Sequence, residues 1–237
     1  MTTAEGWTTA VRERLALGRL LPLGAAADGA WITERAARTV LDGAAAAVRG
    51  VVPGELRIGP AEETTEETAE RTTDETIGVT EAFAVPPSGL PPGPLRISAE
   101  FGAVAGRPLP ELSGELREAL RAAAEDGLGL VVAAVDLRVT DLLDSAPPPS
   151  GPTAPPPGRP SPATDDPAAL AALRVEGVAG VTDALGPPVA LTPGRVRIEL
   201  AVTAGHRPLD VARAVRNAVT AATREATAVT VLISELR

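Results

Sequence analysis

Apolar and polar residues alternate along two parts of the chain that lie about 100 residues apart. In residues 95–101, Leu, Ile, Ala and Phe alternate with Arg, Ser and Glu, and residues 196–202 repeat the pattern with Val, Ile, Leu and Val. A period of two is typical of a β-strand that buries one face against a core. We therefore predict a strand in each of these segments.

An Arg-Pro-Leu sequence follows each of these strands and is predicted to open a helix. Proline fits the first turn of a helix because an N–H group there would have no partner inside the helix. Apolar residues at helical spacing then form one stripe in each copy: Leu112, Leu116, Leu120 and Ala123 in the first, and Leu209, Ala212, Val215, Val219 and Ala222 in the second. We expect Gly127 and Gly129 to close the first of these helices.

Similar strands are predicted to end the two copies, in residues 135–142 and 229–236. In the first copy we expect one face of this strand to carry alternate apolar residues: Val131, Ala133, Val135, Leu137 and Val139.

A helix is predicted to open each copy. The first begins at the N-cap Thr33 and ends at Gly50. A short strand containing Leu56 and Ile58 follows it, and because Pro53-Gly54 interrupts the run, this strand either lies at a sheet edge or begins after that turn. The second lies in residues 167–181, where Leu170, Leu173 and Val178 stand near helical spacing, and residues 186–194 are predicted to form a brief turn. The second copy is the shorter one.

This repeat predicts an α+β protein made of two related small two-layer domains, each with the order α-β-β-α-β. We assign residues 1–29 to an N-terminal extension, 30–144 to the first domain and 166–237 to the second. Part of the extension, residues 11–23, is predicted to be a frayed helix or a docking segment. A proline-rich linker, residues 145–165, joins the domains and leaves open whether they pack together.

The first domain contains an insertion at residues 61–93. Its first half is rich in Glu and Thr and its second half is rich in Pro, so neither half has enough apolar surface to offset the entropy lost on ordering. We therefore expect a mobile loop.

Charge is concentrated in that insertion. The chain has a net charge of −9, and residues 61–81 contain eight acidic residues and one arginine. An acidic chain without a basic stripe is a poor nucleic-acid binder, because contacts to phosphate supply much of that affinity. There is no cysteine and no apolar run of 18 residues, so we expect neither disulfides nor a direct membrane span.

Residues that could support catalysis are few. His206 is the only histidine, and it lies in a predicted turn with no cysteine and no Gly-x-Ser-x-Gly motif to accompany it. Residues 102–106 contain two glycines but lack the Gly-Lys-Ser/Thr of a phosphate-binding loop. We therefore predict no catalytic residues, no metal site, no cofactor and no enzymatic activity.

Arg107 and Arg207 are the candidate binding residues, because both copies place an arginine before Pro-Leu at a strand-to-helix turn. Such an arginine could contact an anion or a protein partner. Alternatively, the shared sequence only fixes the turn, with glycine allowing the corner and proline starting the helix.

The first copy resembles the alkaline shock protein family, also called the envelope stress response family of Gram-positive bacteria. The resemblance lies in the helix ITERAARTVLDGAAAAVRGV, the strand LRISAEFG, the helix PLPELSGELREAL and the strand GLVVAAVDLRVTDL. Phe101-Gly102 stands where the family usually has Tyr-Gly, and the weaker second copy has Val202-Thr203 there. Residues 18–32 resemble the N-terminal extension of actinobacterial members.

This resemblance implies a non-enzymatic cytoplasmic scaffold in the envelope stress response, held at the inner face of the membrane by a small membrane-anchored protein. It also implies contacts with related family members or self-association into a homo-oligomer. The alternative function is that of a module that binds a small ligand or anion through Arg107 and Arg207.

Overall fold

The computed structural model describes residues 16–61, 83–145, 161–223 and 228–237. The elements of its first half are β1 (Leu20–Leu23), β2 (Ala30–Thr33), α1 (Glu34–Ala47), β3 (Val51–Pro60), β4 (Leu95–Val104), α2 (Leu109–Ala122) and β5 (Val132–Leu143). A 3-10 turn at Ala26–Asp28 joins β1 to β2, and a π-helical turn at Ala123–Leu128 extends α2.

The second half repeats the order that the first half shows from α1 onward, with shorter opening elements and one additional strand. Its elements are α3 (Pro167–Leu173), β6 (Val178–Val181), β7 (Val189–Thr192), β8 (Arg195–Val202), α4 (Pro208–Ala222) and β9 (Ala228–Leu236). The chain is therefore an α+β protein, as predicted.

The strands form two sheets, and the larger sheet takes strands from both halves. The smaller sheet has the order β3-β4-β5, and the larger one has the order β1-β2-β9-β8-β6 with β7 also paired to β8. Strand β2 runs parallel to β9, and the Val231 N–H donates to the Gly29 carbonyl at 2.9 Å. The N-terminal strands thus complete the sheet of the C-terminal half.

Several predicted elements of the first copy are confirmed. The Thr33 hydroxyl accepts from the Ala36 N–H and caps α1, and Gly129 ends the extended second helix in the left-handed region with a φ of 91°. Alternate residues of β4 from Leu95 to Phe101 are buried as expected. Strand β3 is an edge strand, one of the two predicted alternatives, and Pro53 is tolerated there beside a bulge. It has ten residues and starts before Pro53, so the prediction of a short strand is wrong.

One continuous cluster of buried apolar side chains connects the two halves. It contains Leu41 and Leu116 from the first half and Val215 and Ile233 from the second, all at most 1 % exposed. A smaller cluster on the opposite face of the larger sheet comprises Leu20, Trp31 and Leu232, with Phe83 and Leu185 packed against it. Both faces of the larger sheet are therefore covered in part.

The predicted apolar face of β5 is wrong at its start. Val131 is 45 % exposed and Ala133 is exposed, whereas Val132 and Val135 are buried. The register with β4 shifts there, because Leu95 pairs with Val132 but Arg96 pairs with Ala134. A β-bulge adds one residue and reverses the alternation, which a strict period of two cannot anticipate.

The second copy also departs from its predicted pattern. Helix α3 ends at Leu173, and it buries alanines while Leu170 and Leu173 remain 41 % and 39 % exposed. Val178 lies in strand β6, so the predicted long helix and its stripe are wrong. The predicted brief turn contains β7, which pairs antiparallel with β8.

The N-terminal extension and the insertion also differ from expectation. Residues 20–23 form strand β1, so the predicted frayed helix is wrong over this part. Residues 83–93 do not form a free loop: Leu20 donates to the Ser88 carbonyl and accepts from the Leu90 N–H, so they satisfy the open edge of β1. The acidic part of the insertion and the linker fall largely on residues 62–82 and 146–160, which lie outside the described residues.

Candidate functional site

A large cleft in the described part of the chain lies at the carboxyl ends of three parallel strands. Strands β2, β9 and β8 are adjacent and run in the same direction, so their carboxyl ends meet at one edge of the sheet. Helix α1 begins directly after β2, and α4 begins one short turn after β8. Open sheets commonly bind ligands at this edge.

The cleft has a volume of about 850 Å³ and is lined by both halves of the chain. This volume lies within the usual range of ligand pockets, about 300–1,000 Å³. Its lining residues come from α1, the end of the extended α2, the turn before α4 and the end of β9: Arg35, Ala36, Thr39, Val40, Asp126, Gly127, Leu128, Ala204, Gly205, His206, Arg207, Pro208, Ser234, Glu235, Leu236 and Arg237.

The structure places the two predicted arginines in different surroundings. Arg207 lines the cleft, where its guanidinium donates to the Glu125 carbonyl at 2.8 Å and contacts Asp210 at 3.2 Å. Arg107 is not among the cleft residues. It pairs with Glu115 at 2.7 Å and donates to the Arg49 carbonyl at 3.2 Å. The two residues therefore do not form one site, and Arg107 holds its turn against the end of α1.

His206 lies on the rim of the cleft. Its Nε2 atom is 4.0 Å from the Glu176 carboxylate, and both side chains are exposed. Gly177 fits closely beside the imidazole: it has a φ of 87°, and a Cβ there would lie 2.8 Å from the His206 Cδ2 atom. The histidine thus packs against the end of α3 and the start of β6, as expected of a residue in a turn.

A buried network of polar side chains lies behind the cleft and begins at Ser234, one of the lining residues. The Ser234 hydroxyl is 2.6 Å from the Thr182 hydroxyl, which donates to the Glu199 carboxylate at 2.8 Å. Glu199 also accepts from the Ala184 and Leu185 N–H groups at 2.8 and 2.9 Å. The network fastens the loop after β6 to the larger sheet.

Glu199 is the most deeply buried carboxylate of the described residues, with no exposed surface. Burial raises the pKa of Glu199 above its ordinary value, although the hydrogen bonds from Thr182, Leu185, Ala184 and Ser234 act in the opposite direction. All of these partners are hydroxyl or backbone N–H groups, so no cation offsets the cost of burying the charge.

Four charged residues of the cleft were not predicted from the sequence: Arg35, Asp126, Glu235 and Arg237. Arg35 lies two residues after the N-cap Thr33, in the first turn of α1 and next to the end of strand β2. The sequence pattern did not reveal that strand, because β2 has only four residues. Without it, Arg35 and the end of β9 could not be assigned to one site.

Within the described ranges, no group of three His, Cys, Asp or Glu residues could hold a metal ion. No described helix is long and apolar enough to cross a membrane. Comparisons of the chain with protein-family models, with curated proteins and with solved structures find no match.

Proposed function

We propose that this protein is a non-enzymatic cytoplasmic scaffold of the cell-envelope stress response, which associates with itself and with a membrane-anchored partner. The structural observation that supports self-association is strand β5. It is 12 residues long and forms one edge of the smaller sheet, and no other described strand pairs with its outer side. Such an edge can add a strand from another chain.

Exposed apolar side chains near the end of β5 add to its capacity for contact. Leu142 is 73 % exposed and Val139 is 37 % exposed. Among the described residues, Arg117 of α2 covers part of this outer edge, because it donates to the Val135 carbonyl at 3.3 Å. This bond indicates that the backbone groups of Val135 point away from β4.

The sequence of β5 is self-complementary for antiparallel pairing with a second copy. When Leu137 is opposite its own counterpart, Asp136 lies opposite Arg138 on both sides, and Val135 lies opposite Val139. In a regular strand, the backbone N–H and C=O groups of Val135, Leu137 and Val139 all point outward. The Val135–Val139 and Leu137–Leu137 pairs would therefore be the ones joined by backbone hydrogen bonds. Opposite charges in facing positions stabilise such a pair.

The test compares two exposed leucines on edge strands of the two sheets. Leu142→Lys places a charge on β5, and Leu191→Lys places the same charge on β7, where the leucine is 63 % exposed. In sedimentation velocity experiments over a range of concentrations, we expect self-association to be lost in Leu142→Lys and retained in Leu191→Lys. A wild-type protein that stays monomeric, or equal effects of the two changes, would contradict the proposal.

The role at the envelope and the membrane-anchored partner rest on the resemblance to the alkaline shock protein family. Membrane fractionation of cells tests them. We expect the protein in the membrane fraction only when small membrane proteins encoded near it are co-expressed. Recovery in the soluble fraction under every combination would contradict this part of the proposal.

A further inference from the structure

We propose that the cleft at the carboxyl ends of β2, β9 and β8 binds a small organic anion, a carboxylate or phosphate attached to an apolar body. This inference does not depend on the scaffold role. It rests on the volume of the cleft, on the cations in its wall and on the apolar surface between them.

The walls of the cleft carry cationic groups from two directions. Arg35 projects from the first turn of α1, and its guanidinium has no carboxylate partner among the described residues. Arg207 approaches from the turn before α4, and its Nε–H is buried without an acceptor in the described part of the chain. A buried donor without a partner is costly, so an acceptor brought within reach of this guanidinium would be stabilising.

The carboxylates of the cleft are fewer than its arginines. Glu235 is paired with Arg237, whose Nε atom lies 2.9 Å from the carboxylate. Asp126 is the other acidic residue of the lining. Arg207 is paired with Asp210 at 3.2 Å, so Arg35 is an arginine of the lining with no described carboxylate partner. Its guanidinium is therefore available to an anion in the cleft.

Apolar side chains cover much of the remaining surface. Val40 and Leu128 lie on one side of the cleft, and Leu236 lies at the end of β9. Apolar walls with a few convergent polar groups are typical of sites for small organic molecules. An arginine binds a carboxylate or phosphate through two parallel hydrogen bonds, so it fixes the anionic end while the apolar body lies against these walls.

Sodium octanoate is the probe that tests this site, with octanol and inorganic phosphate as comparison compounds. We expect saturable binding of octanoate in calorimetric titrations of the full-length chain, with amide chemical-shift changes centred on residues 35–40, 126–128 and 204–208. Octanol, which lacks the charge, and phosphate, which lacks the apolar body, should each bind at least about tenfold more weakly, a difference of about 1.4 kcal/mol.

Two arginine variants and one matched control locate the anionic end. Arg207→Gln and Arg35→Gln should each weaken octanoate binding about tenfold. Arg107→Gln, the equivalent change in the first copy, should leave binding unchanged because Arg107 lies outside the cleft. Arg35 is exposed and pairs with no described carboxylate, so its variant should fold even if Arg207→Gln is destabilised.

Three results would overturn the proposal. They are no saturable binding of octanoate, binding that is unchanged in both Arg35→Gln and Arg207→Gln, and a loss in Arg107→Gln as large as that in Arg207→Gln. Loss of self-association in Leu142→Lys without loss of octanoate binding would show that the cleft and the β5 edge act separately.

Discussion

At the scale of single residues, Glu199 is a fully buried carboxylate that holds part of the larger sheet together. It accepts hydrogen bonds from the Thr182 hydroxyl and from the Ala184 and Leu185 N–H groups, and it joins β8 to the loop after β6. Removal of the carboxylate leaves the two N–H groups without partners and leaves the Thr182 hydroxyl with Ser234. Each buried group left in that state costs about 1–3 kcal/mol.

We therefore expect Glu199→Ala to lower the free energy of unfolding by about 2–4 kcal/mol, as measured by urea denaturation. Glu176→Ala is the matched control, because its side chain is 96 % exposed and lies 4.0 Å from His206. It should change the unfolding free energy by less than about 0.5 kcal/mol. Similar losses in the two variants would contradict the role assigned to Glu199.

The raised pKa of Glu199 also makes stability depend on pH. The folded protein binds the proton more tightly than the unfolded chain, where the pKa lies near 4.5. The stability that this proton gives is complete below the unfolded pKa and is lost as the pH rises through the folded pKa. Glu199→Gln cannot ionise and does not suffer this loss.

The stability of Glu199→Gln relative to the wild type should therefore increase as the pH rises above the unfolded pKa of about 4.5. Unfolding free energies of the two proteins, measured side by side as the pH is raised, test the prediction. A difference that does not change with pH would mean that Glu199 titrates alike in the folded and unfolded chains.

At the scale of elements, strong periodic patterns were predictable and short or irregular ones were not. Helix α2 and strand β4 follow from their apolar stripes, and the burial of Leu112 and Ile97 agrees with them. Strands β1 and β2 have only four residues each, too few for a periodic pattern to identify. In α3, the small alanines rather than the leucines are buried, because the helix approaches α4 closely.

The turn between β1 and β2 is held by a helix of the other half. Asp28 accepts two hydrogen bonds from Arg213 of α4, at 2.8 and 3.0 Å, and a third from the Ala25 N–H. Burial by itself raises the pKa of Asp28, but the hydrogen bonds from Arg213 and Ala25 outweigh it and hold the pKa below its ordinary value. This ion pair joins the N-terminal strands to α4.

We expect Asp28→Asn to lower the melting temperature and to reduce the free energy of unfolding by about 1 kcal/mol, since the Arg213 side chain is 46 % exposed and partly screened. Asp210→Asn removes a carboxylate that lies 4.0 Å from the same arginine, and it should have little effect. Equal thermal shifts in the two variants would argue against a specific role for Asp28.

At the scale of the whole molecule, the two halves are one body because they share a sheet. The repeat predicted two related units, and the order of elements in the first copy followed from the sequence. The pairing of β2 with β9 joins residues about 200 positions apart, and no local pattern encodes a contact of that separation. The cleft depends on this pairing, because its walls come from α1 in one half and α4 in the other.

The hydrogen bond from the Val231 N–H to the Gly29 carbonyl tests this arrangement most directly, because it exists only if β2 lies beside β9. In an isotope-labelled sample, we expect an NMR scalar coupling through this bond, between the Val231 nitrogen and the Gly29 carbonyl carbon, and slow exchange of the Val231 amide. A missing coupling together with exchange of Val231 at the rate of an exposed amide would show that the N-terminal strands do not complete the sheet, and the account of the cleft would fail with it.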